Sequence, residues 1–457
     1  MKNVLIICLL LLNQNFIIAE NSSYDYSSYT ATSVDTSLSS QTVDCTTSGQ
    51  SAVYITTNGI TITDSTITKS GDISSSDNTE DSEFYGVNAA VLVQGGSLTM
   101  TGGTITTSAR GGNALVATNG GSVTISGTTI TSTGSGSERG LHATYGGTIT
   151  ADSVTITTQS GSCATLATDR GEGTVSCSNC ILTTNGAGSP IIYSTGDITM
   201  TSSTGTSNGA QAVVVEGKNT ATIKSSTIKC TGSGNNRNDE CGVLIYQSMS
   251  GDADTGTSTF TCDSSSIEIV SSSGVYSSAP MFYVTNTAAN IDLTGCTFTY
   301  GSGTFLNVSE GDWGTSGSNG GTVTMTLTDQ EIEGDIVVGS SSSLTLKLVN
   351  SSIKGKINNA KTAGTLAITL DADSEITLTG DSYYTSLSNA DSTGSNIDTG
   401  SYTFSATDGS SSSDNKNNND DDDDDDSIIQ ISTSSSNSLN AYKNTLFGFA
   451  LMILLFF

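Results

Sequence analysis

Proline, histidine and basic residues are scarce in this 457-residue chain, and each shortage removes a class of explanation. The 2 prolines, Pro190 and Pro280, suit a backbone whose N–H groups are nearly all committed to ladder hydrogen bonds. A single histidine, His142, leaves no Cys/His combination with zinc-binding spacing. Lys and Arg number 15 against 44 Asp and Glu, a formal net charge of -29, so there is no basic footprint for nucleic acid. No apolar run reaches the roughly 20 residues that a membrane-spanning helix needs. The longest stand at the two ends.

Those ends predict an address. Lys2, the apolar run from Val4 to Leu12, the polar break at Asn13 to Asn15 and the small residue Ala19 read as a secretory signal peptide over residues 1–19. Leu446 to Phe457 is almost wholly apolar, and small residues Ser434, Ser435 and Ser436 precede it across a polar spacer. That arrangement has the form of a GPI-attachment signal, with residues 441–457 as its hydrophobic tail. The expectation is an extracellular protein on a eukaryotic cell surface, held to the outer membrane leaflet by a lipid anchor. Residues 406–440, with Asp420 to Asp426, read as a self-repelling linker, and residues 20–48 as a Ser/Tyr-rich segment and cap.

Of the 9 cysteines, Cys8 lies in the leader, which leaves an even number in a chain expected to be secreted, and disulfides are the expectation. Cys230 and Cys241 bracket a polar loop and are the first predicted pair; Cys262 and Cys296 are the second. Sequons at Asn21, Asn307 and Asn350 predict glycosylation.

What the chain has in abundance is Gly, Ser and Thr in a repeating frame. An apolar residue is followed by another two places on and a third seven places on, as at Leu98, Met100 and Ile105, then Val123, Ile125 and Ile130. Eleven copies begin at Ile60, Leu98, Val123, Ile149, Val175, Ile198, Ala221, Phe260, Ile291, Met325 and Leu346. The first two positions have the period of a half-buried strand, and the fixed step to the third fits a short turn into another strand. An apolar run such as Val213 to Val215 precedes most copies and supplies a further strand. Three strands per coil, stacked, make an all-β solenoid over residues 49–405.

Here the chain resembles the right-handed parallel β-helix proteins, the pectate-lyase-like and pertactin-like group, through units of the GGSLTMTGGTITT type. The resemblance implies fold, and it implies that a polysaccharide cleft would lie along the first strands. The longest insertions flank those strands: Ser70 to Gly86, Cys230 to Cys241 and Ser271 to Pro280 on one side, Ser248 to Gly256 and Ser309 to Gly321 on the other. They are expected either to wall a groove or to fold over it. Tyr145, Tyr193, Tyr246, Tyr283 and Trp313 are the aromatic residues placed to stack on sugar there. The family's catalytic motifs do not carry over: the only paired Asp lies in the linker, and His142 sits in GLHAT rather than Gly-His-Gly. Asp263 and Asp292, outward on neighbouring second strands and about 8 Å apart, are the remaining candidates for acid/base hydrolysis. Asp252 to Gly256 opens like a calcium loop but lacks its later carboxylates and reads as a turn, so no cofactor is expected, with calcium as the alternative. The expected function is a surface adhesin or glycan-binding wall protein, partnered by extracellular glycans or cell-surface molecules. The alternatives are a divergent polysaccharide lyase or hydrolase working in the first-strand groove, and a purely structural wall component.

Overall fold

Alternation of Thr with aliphatic residues puts one face of each strand inside and one in solvent, and stacking such strands in parallel gives the observed architecture. The computed structural model describes residues 24–73, 79–234 and 238–407. The chain is a parallel β-helix with three long faces: a first sheet of 12 strands, a second of 14 and a third of 10, the last continued by a separate sheet of 4. All strand pairs described within these sheets are parallel and join successive coils; Ile60 pairs with Leu98, Leu98 with Val123, Val123 with Ile149, and so on to Met325 with Leu346. The repeat read from the sequence is thus the register of the second sheet. Its side chains, with those of the other two sheets, form one continuous apolar core.

The second sheet begins and ends outside the eleven copies. Leu38 pairs with Ile62 and Val43 with Ile67, so a coil already lies within the segment expected to be only a cap. At the other end Ile368 and Leu387 extend the stack. The third sheet is interrupted between Phe298 and Ile332, which do not pair. There the next first-sheet strand, Thr304–Val308, carries a register shift at Phe305, and the rings of Phe282, Phe298 and Phe305 fill the space.

The corner between the second and third sheets keeps a constant length because it is hydrogen-bonded from coil to coil. Its first residue is left-handed, as at Ser202, Ser225 and Ser264 (φ 48°, 48° and 50°), and the next is a buried serine. Ser226 Oγ donates to the Lys224 carbonyl (2.7 Å) and accepts the Ser203 N–H of the preceding coil (3.0 Å). Ser265 does the same for Asp263 and Ser226, and Ser203 for Thr201 and Cys180. Replacing Ser226 by Ala would leave a buried N–H without an acceptor, and urea unfolding should show a loss of about 1–3 kcal/mol.

Two disulfides sit on this corner. Cys262–Cys296 is bonded as expected. The other is Cys177–Cys180, and the predicted Cys230–Cys241 pair is not formed: both are free buried thiols. The reason lies in their facing. Cys230 packs inward in the central core, whereas Cys241 belongs to a cluster on the outer side of the first sheet with Val214, Leu244, Tyr246 and Tyr283.

Of the sequons, Asn307 is half-buried in the middle of a first-sheet strand, between Tyr283 and Val337. Asn350 is an exposed corner residue whose amide donates to Asp329 Oδ1 (2.7 Å). Asn21, the leader, Ser434, Ser435, Ser436 and the C-terminal tail lie outside the described residues.

Candidate functional site

The outer column of the first sheet runs Tyr54, Leu92, Val116, His142, Ala167, Tyr193, Val214, Leu244, Tyr283 from coil to coil. An apolar column of this kind needs a cover, and the flanking insertions supply it from both ends. Toward the N-terminal end the segment around Tyr26 and Tyr29 packs on Tyr54 and Leu92. The helix Thr79–Tyr85 adds to it: Tyr26 Oη donates to the Tyr85 carbonyl (2.6 Å), and the Tyr85 ring stacks on Tyr145 at 5.6 Å. Toward the C-terminal end the loop from Ser309 to Gly321 lies over Tyr246 and Tyr283, with Tyr283 Oη donating to the Glu310 carbonyl (3.0 Å). Asn319 holds this loop, its amide donating to the carbonyls of Gly311 and Trp313.

Between the two covers a cavity of about 260 Å³ remains. Glu83 of the helix and Trp313 of the loop close its ends; Arg139, Tyr193 and Tyr246 line it from the sheet side, with Ala164 and Pro190 beside them. The rings of Tyr246 and Trp313 meet at 5.2 Å. Both tyrosine hydroxyls donate to the same oxygen of the buried Glu216, Tyr193 at 2.7 Å and Tyr246 at 2.8 Å. Glu216 thereby fixes the two rings, and burial beside this carboxylate pushes both phenols well above their ordinary range. Arg139 pairs with Asp169 (3.2 Å), the two side chains being 9% and 4% exposed. Burial lifts the Asp169 carboxyl to about 7, against the downward pull of Arg139. His142, fully buried in the same sheet, is held neutral by burial and by the Arg139 cation.

Three of the five expected aromatic residues, Tyr193, Tyr246 and Trp313, therefore meet in one place. Tyr283 lies beneath the Trp313 loop, and Tyr145 is covered by the helix. Asp263 and Asp292 stand on the second sheet, away from this cavity; Asp292 is flanked by Thr261 and Thr326, and Asp263 by Lys224 and Thr294. In the Asp252 to Gly256 turn, Asp252 pairs with Arg170 and Asp254 with Lys218, both at 3.0 Å. A second cavity of about 450 Å³, at the junction of the first and second sheets, is lined by four glycines and by polar residues that include Glu172, Asp197 and Lys218, and its Lys218 is paired with both Glu172 and Asp254.

Glu83, Arg139 and Pro190 were not singled out from the sequence. A signal was available: the chain has only four arginines, and Arg139 and Arg170 fall on successive coils beside the first strand. Compared with protein-family models, with curated proteins and with solved structures, the chain matches none.

Proposed function

We propose that this is a surface-displayed glycan-binding protein, secreted and held by a GPI anchor, and that the cavity between the two covers takes sugar. The observation that carries the reading is the meeting of Trp313, Tyr246 and Tyr193 with Arg139 and Glu83 around one opening. Sugar recognition needs that combination, aromatic faces for the C–H side of a ring and fixed polar groups for its hydroxyls. The N-terminal apolar run, the C-terminal tail and the two disulfides support the address. A glycan array probed with the full chain, released from expressing cells by a phosphatidylinositol-specific phospholipase, tests both halves. Saturable binding to a glycan set is expected, and Trp313→Ala should weaken it at least tenfold, which is about 1.4 kcal/mol. No binding to any glycan would sink the reading.

A cleaving enzyme is the second reading, favoured by Asp169, whose carboxyl near 7 is suited to proton transfer at neutral pH. Asp169 is not among the residues that line the cavity, which is why binding ranks first. Appearance of new reducing or unsaturated ends in a bound glycan would reverse that order.

A further inference from the structure

Two buried polar atoms have no partner among the described residues: Arg139 Nη1, a donor on a residue of the cavity wall, and Glu216 Oε1, an acceptor behind Tyr193 and Tyr246. Arg139 lines the opening directly, and its other terminal nitrogen is already committed to Asp169. A buried guanidinium nitrogen with no acceptor costs free energy, so an acceptor atom, from water or from a ligand, belongs beside it.

The charge around that position limits what the ligand can be. Arg139 is the one cation on the cavity wall among the described residues. Its charge is opposed by Asp169, while Glu83 stands on the wall and Glu216 lies behind the two tyrosines. The Glu83 carboxylate is held by the Ser137 hydroxyl (2.6 Å), which keeps it in place at the end of the cavity. A ligand carboxylate would meet this acidic set at close range, where like charges repel. Ligand hydroxyls carry no charge and meet no such penalty, and the wall offers them a guanidinium donor in Arg139 and a carboxylate acceptor in Glu83.

Size and closure add a second limit. A volume of about 260 Å³ is below the usual range for drug-sized ligands, roughly 300–1,000 Å³. The helix Thr79–Tyr85 and the Trp313 loop block the column at both ends, so a polymer cannot run along the first sheet through the site. Resting on the glycan-binding reading, we infer that this pocket takes the terminal residue of an uncharged glycan, its ring against Trp313 and Tyr246 and a hydroxyl on Arg139 Nη1, and that it discriminates against uronic acids.

Trp313 is the only tryptophan in the chain, so its emission reports directly on the pocket. The full chain is titrated at low ionic strength with methyl glycosides of glucose, galactose, mannose and N-acetylglucosamine, with methyl glucuronide, and with a linear and a cyclic oligosaccharide of the same neutral sugar. At least one neutral glycoside should give a saturable change, with the glucuronide at least tenfold weaker and the cyclic form, which has no terminus, without effect. Glu83→Gln should narrow the gap between neutral and acidic sugars, and Arg139→Lys should weaken the neutral ligand severalfold; circular dichroism checks that each variant is folded. Glucuronide binding as tight as the best neutral sugar would overturn the charge argument, and equal binding of cyclic and linear forms would overturn the terminal one. An array that is positive while every glycoside leaves Trp313 unchanged would remove this pocket and leave glycan binding standing; a negative array would remove both.

Discussion

Phe282→Ala should cost about 3–5 kcal/mol, the largest loss expected from a single core substitution. Phe282 is fully buried, and its ring lies 5.7 Å from Phe260, 5.3 Å from Phe298 and 5.3 Å from Phe305. From the second coil to the coil of Phe298 successive coils are joined by strand pairing on all three faces, but between the coils of Phe298 and Ile332 the third sheet does not pair. The aromatic cluster replaces that ladder, so a cavity there is not compensated by hydrogen bonds on the same face. Phe282→Leu keeps most of the volume and should cost much less. Urea unfolding followed by far-ultraviolet circular dichroism measures both. Because a solenoid's stability is close to a sum of coil and interface contributions, the Ala variant should also show a broadened or two-step transition as the two sides of the break separate. A single sharp transition with a loss under 1 kcal/mol would show that the cluster does not hold the break together.

The stacking register was legible because burial demands it. A strand whose Ile60 and Ile62 face inward cannot slip by one place without turning Thr61 into the core, and the same holds at each of the eleven copies. What escaped the pattern departs from it for local reasons. Leu38 and Val43 belong to the first coil, whose outer edge pairs with no other strand among the described residues, and its strands are short and largely polar. Ile368, Leu370 and Ile376 break the fixed step because the corner from Asp371 to Ser374 holds one residue more than the others. The corner serines were in plain view as a recurring Ser before Thr-Ile or Ser-Ile, yet the reason for them, an acceptor shared between coils, exists only once the coils are stacked.

The candidate site was legible in its aromatic half. Tyr193, Tyr246 and Trp313 could be assigned to the first-sheet side because strand alternation and loop position fix it. Their convergence was not, since it depends on how far two insertions reach across the coils. Glu83 comes from an insertion before the third coil yet meets Ser137, which is 54 residues away in the chain. Trp313 reaches back from a later insertion to Tyr246. The cysteines make the same point in reverse. Cys230 and Cys241 are close in sequence but separated by the thickness of a strand, one facing the core and one the cover, whereas Cys177 and Cys180 meet across a corner.

Arg139→Met should leave the protein nearly as stable as the wild type at pH 5 and destabilise it increasingly above pH 7. Burial lifts the Asp169 carboxyl to about 7 although Arg139 pulls it down; in the unfolded chain it titrates near 4. A folded-state value raised above the unfolded one means that the folded protein binds the extra proton, so stability is lost as pH rises from about 4 to 7 and is then constant. Without Arg139 the folded-state value climbs further, and the loss continues past 7 at up to about 1.4 kcal/mol per pH unit, approaching 3 kcal/mol at pH 9. At pH 5 Asp169 is protonated in both folded proteins, and the variant also avoids burying a guanidinium, which offsets the lost contact. Adding Asp169→Asn to the variant removes the titrating group, so the extra slope above pH 7 should vanish. Urea denaturation at pH 5, 7 and 9 for the wild type, Arg139→Met and the double variant gives the three curves. A penalty for Arg139→Met that is the same at pH 5 and pH 9 would mean that Arg139 acts by packing alone, and that its charge does not govern the ionisation of Asp169 behind the pocket.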